Sequence, residues 1–142
     1  MIITDDAGIR RILEHHKVIA MVGLSPKENR PSNRVARFLM ALGYTVIPVN
    51  PGQKEILGQT CYPDLKSIPV KVDMVDVFRN ADDVPPIADE AIAIAAKSLW
   101  LQLGIVHQEA AEKAAAAGLD VVMDRCPKIE LSRLYSRKSA PP

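Results

Sequence analysis

A chain of 142 residues, 48% hydrophobic and 25% charged, has the size and composition of one folded domain spanning 1–142, which excludes a second substrate domain and an extended disordered tract. Its 18 basic and 17 acidic residues leave a net charge of +1, so no overall field draws it to nucleic acid or a membrane. Any anion is expected to be held by local groups. No apolar run approaches the roughly 18 residues of a membrane span, and the start Met-Ile-Ile-Thr-Asp-Asp lacks a secretory pattern, so a cytoplasmic protein is expected. Cys61 and Cys126 form no Cys-x-x-Cys and are expected to be reduced thiols.

Along the chain, Thr4 to Lys17 reads as a helix with a capping Thr4, an acidic first turn and Ile9, Ile12 and Leu13 at helical spacing. Val18 to Gly23 is a short continuous apolar run ending in glycine, the pattern of a strand buried on both faces. After a loop from Leu24 to Pro31, Val35, Phe38, Leu39 and Leu42 follow the i, i+3, i+4, i+7 pattern, with Gly43 at the helix end. Tyr44 to Val49 reads as strand two, Val72 to Phe78 as strand three, Val84 to Lys97 as a helix and Ser98 to Leu103 as strand four. His107 to Ala117 is a helix closed by Gly118, and Leu119 to Met123 is strand five. Pro51 to Pro69 holds no long helical pattern and is expected to be irregular, with one short strand or turn; Ser136 to Pro142 is expected to fray. Strands alternating with helices predict an α/β fold, a Rossmann-like three-layer sandwich around a five-stranded, mostly parallel sheet.

Ligands of such sheets bind beyond the carboxyl ends of the strands. Those ends are Gly23-Leu24-Ser25, Asn50-Pro51, Phe78-Arg79-Asn80, Gln102-Leu103-Gly104 and Asp124-Arg125-Cys126. The first is the most informative: Gly23 permits close backbone approach, Ser25 offers a hydroxyl, and Lys27, Arg30 and Arg34 offer cations. Ser32 and Asn33 stand where a helix start exposes unpaired N–H groups. Backbone donors, helix dipole and guanidinium groups together favour phosphate. The plainer alternative is a glycine turn, a capping Ser32 and solvated arginines. The loop lacks the second and third glycines of G-x-G-x-x-G, and strand two ends in Asn50 rather than an acid that would accept from a ribose diol. Both departures argue against plain NAD and are compatible with a nucleotide phosphorylated on its ribose, with Lys54 nearby to neutralise the phosphate.

Val22-Gly23-Leu24-Ser25 with Arg30-Pro31-Ser32, then Gly43-Tyr44 to Val46-Ile47-Pro48-Val49-Asn50-Pro51, form the first half of an ordered motif set. Val72-Asp73-Met74-Val75-Asp76-Val77-Phe78-Arg79, Trp100-Leu101-Gln102-Leu103-Gly104 and Val121-Val122-Met123-Asp124-Arg125-Cys126 complete it. Over roughly residues 5 to 135 the chain resembles small, free-standing CoA-binding domain proteins, related to the nucleotide-binding domain of the succinyl-CoA synthetase alpha subunit. The resemblance implies coenzyme A as the ligand, with its pyrophosphate over Gly23, Ser25 and the helix start near Ser32, and its adenosine near Asn50-Pro51 and Phe78-Arg79. The synthetase's phosphorylated histidine lies on a second domain for which 142 residues leave no room, so binding is implied without chemistry.

Few residues offer catalysis. His15 and His16 fall on the far side of the sheet from the cleft and are expected to be solvated, and His107 is expected to cap or border a helix. No close His, Asp and Cys cluster points to a metal. Cys126 follows strand five with Arg125 and Lys128 beside it, cations that would lower a thiol pKa, although free cysteines are commonly buried and inert. Trp100 and the alanines at 110, 111, 114 and 115 read as packing. The leading expectation is non-catalytic binding of CoA or acyl-CoA, as carrier, sensor or regulatory module. The alternatives are an NAD(H) or nucleotide-sensing module, and an acyl-transfer or persulfide enzyme using Cys126.

Overall fold

The computed structural model describes residues 1–135; the fraying expected over 136–142 falls outside them. In chain order the elements are α1 (Asp6–His15), β1 (Val18–Val22), α2 (Pro31–Ala41), β2 (Thr45–Val49), a hairpin of β3 (Glu55–Ile56) and β4 (Gln59–Thr60), and β5 (Met74–Val77). They continue with α3 (Val84–Ala93), β6 (Ser98–Leu101), α4 (Gln108–Ala116), β7 (Asp120–Val122) and α5 (Pro127–Leu134). The sheet runs β2-β1-β5-β6-β7, and every neighbouring pair is parallel. The strand order reverses between β1 and β5, which opens a crevice at their carboxyl ends.

The layers follow from the apolar stripes. Ile9, Ile12 and Leu13 of α1, Val35, Ala36 and Leu39 of α2 and Leu131 and Leu134 of α5 cover one face, packed on Ile19, Met21, Met74 and Trp100. Ala88 and Ala91 of α3 with Ala110, Ala111 and Ala114 of α4 cover the other, on Ala20, Val75, Val77, Leu99 and Val121. With few aromatics to fill space, small alanines let helices approach the sheet closely. Trp100 is wholly buried in this packing, with its Nε1 donating to the Arg125 carbonyl at 2.8 Å.

Four segments depart from the sequence reading. The connection from 51 to 69 contains two short strands rather than one, followed by a 3-10 turn over Leu65–Ser67. Its Tyr62 covers the β2 edge, donating to the Pro48 carbonyl at 3.0 Å, where proline has no N–H to offer. α3 stops at Ala93 rather than Lys97, with Ala95 at φ +56 turning the chain. The last helix, α5, was not expected. Its start carries Pro127 in the first turn, which suits a position with no intrahelical donor duty. Finally, the amino-terminal residues extend the sheet beyond β7, with Ile3 N–H on the Val121 carbonyl at 2.8 Å. Among the described residues no helix is long and apolar enough to cross a membrane.

Candidate functional site

The crevice is set by the closeness of two strand ends. Gly23 follows β1 at φ +88, and a Cβ there would stand 2.4 Å from the Phe78 carbonyl oxygen at the end of β5. Only glycine meets both demands, so the close approach expected of Gly23 is made first to the neighbouring strand. The next loop is tied to α2 by side chains. Ser25 N–H donates to Ser32 Oγ at 3.0 Å, Lys27 N–H to Ser25 Oγ at 3.1 Å, and Asn33 Nδ2 to the Ser25 carbonyl at 2.9 Å. Arg37 Nε in turn donates to Asn33 Oδ1 at 2.9 Å. α2 starts at Pro31 with no side-chain cap hydrogen bond, and beside this start lies a cavity of about 220 Å³ lined by Gly23, Ser25, Arg30, Pro31, Ser32 and Phe78.

This cavity shares Pro31 and Phe78 with a larger one of about 790 Å³. The larger cavity has an apolar wall of Val35, Ile105 and Ile129, cations Arg34, Arg79 and Lys128 at its rim, and Gln102 and Cys126 in its buried floor. Across Arg79 lies a third cavity of about 230 Å³ beside Val49, Pro51 and Pro63. Ten of the fourteen expected site residues line these three spaces: Gly23, Ser25, Arg30, Ser32, Arg34, Pro51, Phe78, Arg79, Gln102 and Gly104.

Leu24, Lys27, Asn33 and Asn50 line none of them. Leu24 is fully buried, Lys27 is exposed, and Asn33 is the buried tie just described. Asn50 donates from Nδ2 to the Leu24 carbonyl at 3.1 Å and accepts the Gly52 N–H on Oδ1 at 2.9 Å, so it organises the crevice wall. Sequence reasoning missed the contribution of α5, from which Lys128 and Ile129 reach the large cavity. The signal was present in Pro127 followed by Leu131 and Leu134 at helical spacing.

Behind Gln102 lies a buried acid. Asp76, central in β5, is fully buried; its Oδ1 accepts from Gln102 Nε2 at 2.7 Å, and its Oδ2 has no partner. Burial pushes its carboxyl up to about 7, against a small downward pull from the Gln102 hydrogen bond. Cys126 is also buried, and burial pushes its thiol up, opposed by the backbone N–H groups of Ile129 and Lys128. The lowering that Arg125 and Lys128 could exert on the thiol is outweighed by desolvation, and Arg125 is occupied by Glu130 at 3.0 Å, which agrees with the alternative of a buried, inert cysteine. His107 caps α4, accepting the Ala110 N–H on Nδ1 at 3.1 Å. His15 is exposed, whereas His16 is buried with Nδ1 2.8 Å from Ser98 Oγ, so the expectation of solvation fails for His16 while its place away from the cleft holds.

A family model described as a CoA binding domain matches residues 17–132, which takes in all five sheet strands and the crevice. The chain belongs to this CoA-binding domain family. YneT of Bacillus subtilis is 39% identical over 123 residues, covering 87% of this chain and 91% of that protein. The ADP-forming acetate–CoA ligase I of Archaeoglobus fulgidus is 32% identical over 124 residues, but the match is only 18% of the ligase. Among solved structures, a hypothetical protein from Pyrococcus horikoshii superposes with a TM-score of 0.91 at 41% identity, over 94% of each chain. A Thermus thermophilus protein gives 0.86 at 38%, over 92% of this chain and 99% of that one. The CoA-binding, Rossmann-like fold expected from the motifs is thus borne out.

Proposed function

We propose that the protein binds coenzyme A or acyl-CoA in the crevice without chemistry of its own, as a carrier, sensor or regulatory module. The observation that carries this reading is the run of three adjoining cavities, one of them at the bare start of α2 beside Arg30. The diphosphate rests at the start of α2 over Gly23, Ser25 and Ser32, where N–H groups, helix dipole and guanidinium act together. The adenosine turns toward Pro51 and Arg79, with Lys54 available to its ribose phosphate, and the pantetheine arm runs past Phe78 into the large cavity.

Two observations weigh against the other readings. Asn50 has both ends of its amide engaged within the protein and offers no carboxylate to a ribose diol, which disfavours NAD. Cys126 is a buried neutral thiol with no histidine base beside it among the described residues, which disfavours acyl transfer. The ligase whose amino-acid sequence this chain partly shares is several times longer, and its reaction is not carried over. Titration of the purified protein with CoA, acetyl-CoA, 3'-dephospho-CoA, NAD and NADP tests the proposal. CoA is expected to bind more tightly than NAD or 3'-dephospho-CoA, with acetyl-CoA hydrolysis at background. Equal affinity for NAD and CoA overturns the assignment, and steady hydrolysis overturns its non-catalytic part.

A further inference from the structure

An acid in the middle of a buried strand has a conformational cost, and Asp76 is placed where that cost can be coupled to ligand. Its register partners are Met21 of β1 and Trp100 of β6, both wholly buried. Its charge raises the pKa of the Cys126 thiol ahead of α5, and no cation is among the groups that act on its own carboxyl. Its sole hydrogen bond comes from Gln102, which belongs to the floor of the 790 Å³ cavity. Gln102 Oε1 has no partner within the protein, yet it is not among the fully buried unpartnered atoms, so it is the end of the amide that meets the cavity.

An amide between an acid and a cavity has two arrangements. With Asp76 ionised, the carboxylate accepts only, so Gln102 must direct its NH₂ inward and present Oε1, an acceptor, to the cavity. With Asp76 protonated, the acid can donate to Oε1, the amide turns over, and the NH₂ becomes a donor facing the cavity. A free thiol offers S–H, a weak donor, whereas a thioester offers a carbonyl acceptor. We propose that Asp76 and Gln102 form a proton-linked selector at the end of the ligand cleft, favouring the free thiol of CoA when Asp76 is ionised and an acyl thioester when it is protonated. This rests on the proposed binding of CoA with its pantetheine arm in the large cavity. A carboxyl poised at about 7 puts both arrangements within reach near neutrality.

The test compares affinities for acetyl-CoA and CoA between about pH 6 and pH 8, by calorimetry in buffers of different ionisation enthalpy. The phosphates are common to both ligands, so their titration cancels in the ratio. An unperturbed thiol titrates near ~8.5, above most of this range. The acetyl-CoA to CoA affinity ratio is expected to fall on the order of three- to tenfold as pH rises, the scale of one exchanged neutral hydrogen bond. Near pH 7, acetyl-CoA is expected to bind with proton uptake and CoA with release. Asp76→Asn, which cannot ionise and whose amide can give or take the Gln102 hydrogen bond at every pH, is expected to make the ratio independent of pH and to abolish the difference in proton exchange. A pH-independent ratio in the unmodified protein with equal proton exchange for both ligands overturns the selector while leaving CoA binding intact. If Asp76→Asn does not fold, the proton exchange of the unmodified protein decides alone. Absence of binding by either thiol or thioester overturns the selector together with the reading it rests on.

Discussion

The two ends of the sheet treat charge in opposite ways. At the amino-terminal ends of the strands most cations have an acid: Arg11 meets Asp120 at 3.0 Å, Lys97 meets Asp73 at 3.5 Å, and the chain's own amino group stands 3.9 Å from Asp120, while Lys17 lies over the Tyr44 ring. At the carboxyl-terminal ends, Lys27, Arg30, Arg34 and Lys128 have no acidic partner within ion-pair distance among the described residues, whereas Arg79 is paired with Asp83 at 3.6 Å and Arg125 with Glu130 at 3.0 Å. Paired surface charges add about 0–1 kcal/mol and satisfy themselves. Unpaired ones beside a bare helix start create a local positive field in a protein of net charge +1. The near-neutral composition thus conceals a polarised molecule whose anion-attracting end is also the one with the cavities.

The buried titratable groups show the same polarity, and they give the largest expected effect. Asp76, near the carboxyl end, is held up at about 7 against 3.8 unfolded, so between these values the folded state keeps a proton that the unfolded chain has lost. Stability therefore falls as pH rises from about 4 to about 7, by on the order of 4 kcal/mol in all. His16, at the amino end, is shifted down from 6.5 by burial, so the unfolded chain takes up the proton first and stability is lost as pH falls below that value. Chemical denaturation of the ligand-free protein, Asp76→Asn and His16→Gln at a series of pH values separates them. Asp76→Asn is expected to gain on the unmodified protein as pH rises from 5 to 8, and His16→Gln as pH falls below about 6.5. A constant difference for Asp76→Asn across that range would show that the carboxyl is not desolvated.

Gly23→Ala addresses the geometry that opens the crevice. The added methyl must displace the Phe78 carbonyl, and alanine disfavours φ +88, so a loss of about 2–4 kcal/mol is expected in thermal unfolding. A neutral outcome would mean that β1 and β5 ends are not held this close.

Much of this arrangement was legible in the chain. Val18–Val22 is a short apolar run, and Met74–Val77 is one but for Asp76, as a doubly covered parallel strand requires; Gly23, Asn50 and Gln102 after three of the strands marked the cleft. Ten of fourteen expected site residues reach the cavities because strand ends converge by topology. Asn33 and Asn50 tie loops together within the protein and line none of the three cavities, because residue type reveals a donor but not whether the fold has already used it. His16 pairs with Ser98, 82 positions away, and no local pattern reports such a contact. Asp76 sat unnoticed in a strand whose other residues are apolar, although a lone acid there was itself the signal of a buried polar group in the sheet.

Arginine substitutions at the two ends sharpen the contrast in charge. Arg30→Ala is expected to weaken CoA by about 1–3 kcal/mol through loss of a charge-assisted contact, with a shallower salt dependence. Arg11→Ala removes an equal charge from the opposite end and is expected to leave affinity unchanged. Equal effects of the two would mean that net charge, rather than the bare start of α2, attracts the ligand.

The smallest effect is expected at Cys126, and its smallness is informative. The thiol lines the large cavity, so a ligand filling that space passes beside it. A nucleophile would need a thiolate, and here burial holds the proton on sulfur while the Asp76 charge pushes in the same direction. A neutral thiol contributes a few dispersion contacts that a hydroxyl of nearly the same size largely reproduces. Cys126→Ser is therefore expected to bind CoA within about threefold of the unmodified protein, under 1 kcal/mol. Alkylation of Cys126 by iodoacetamide at neutral pH is expected to be slow in the folded protein and to accelerate on unfolding. Rapid alkylation of the folded protein, or acyl-CoA hydrolysis that vanishes in Cys126→Ser, would move the chemistry onto this sulfur and make the carboxyl-terminal end of the sheet an active site rather than a binding cleft.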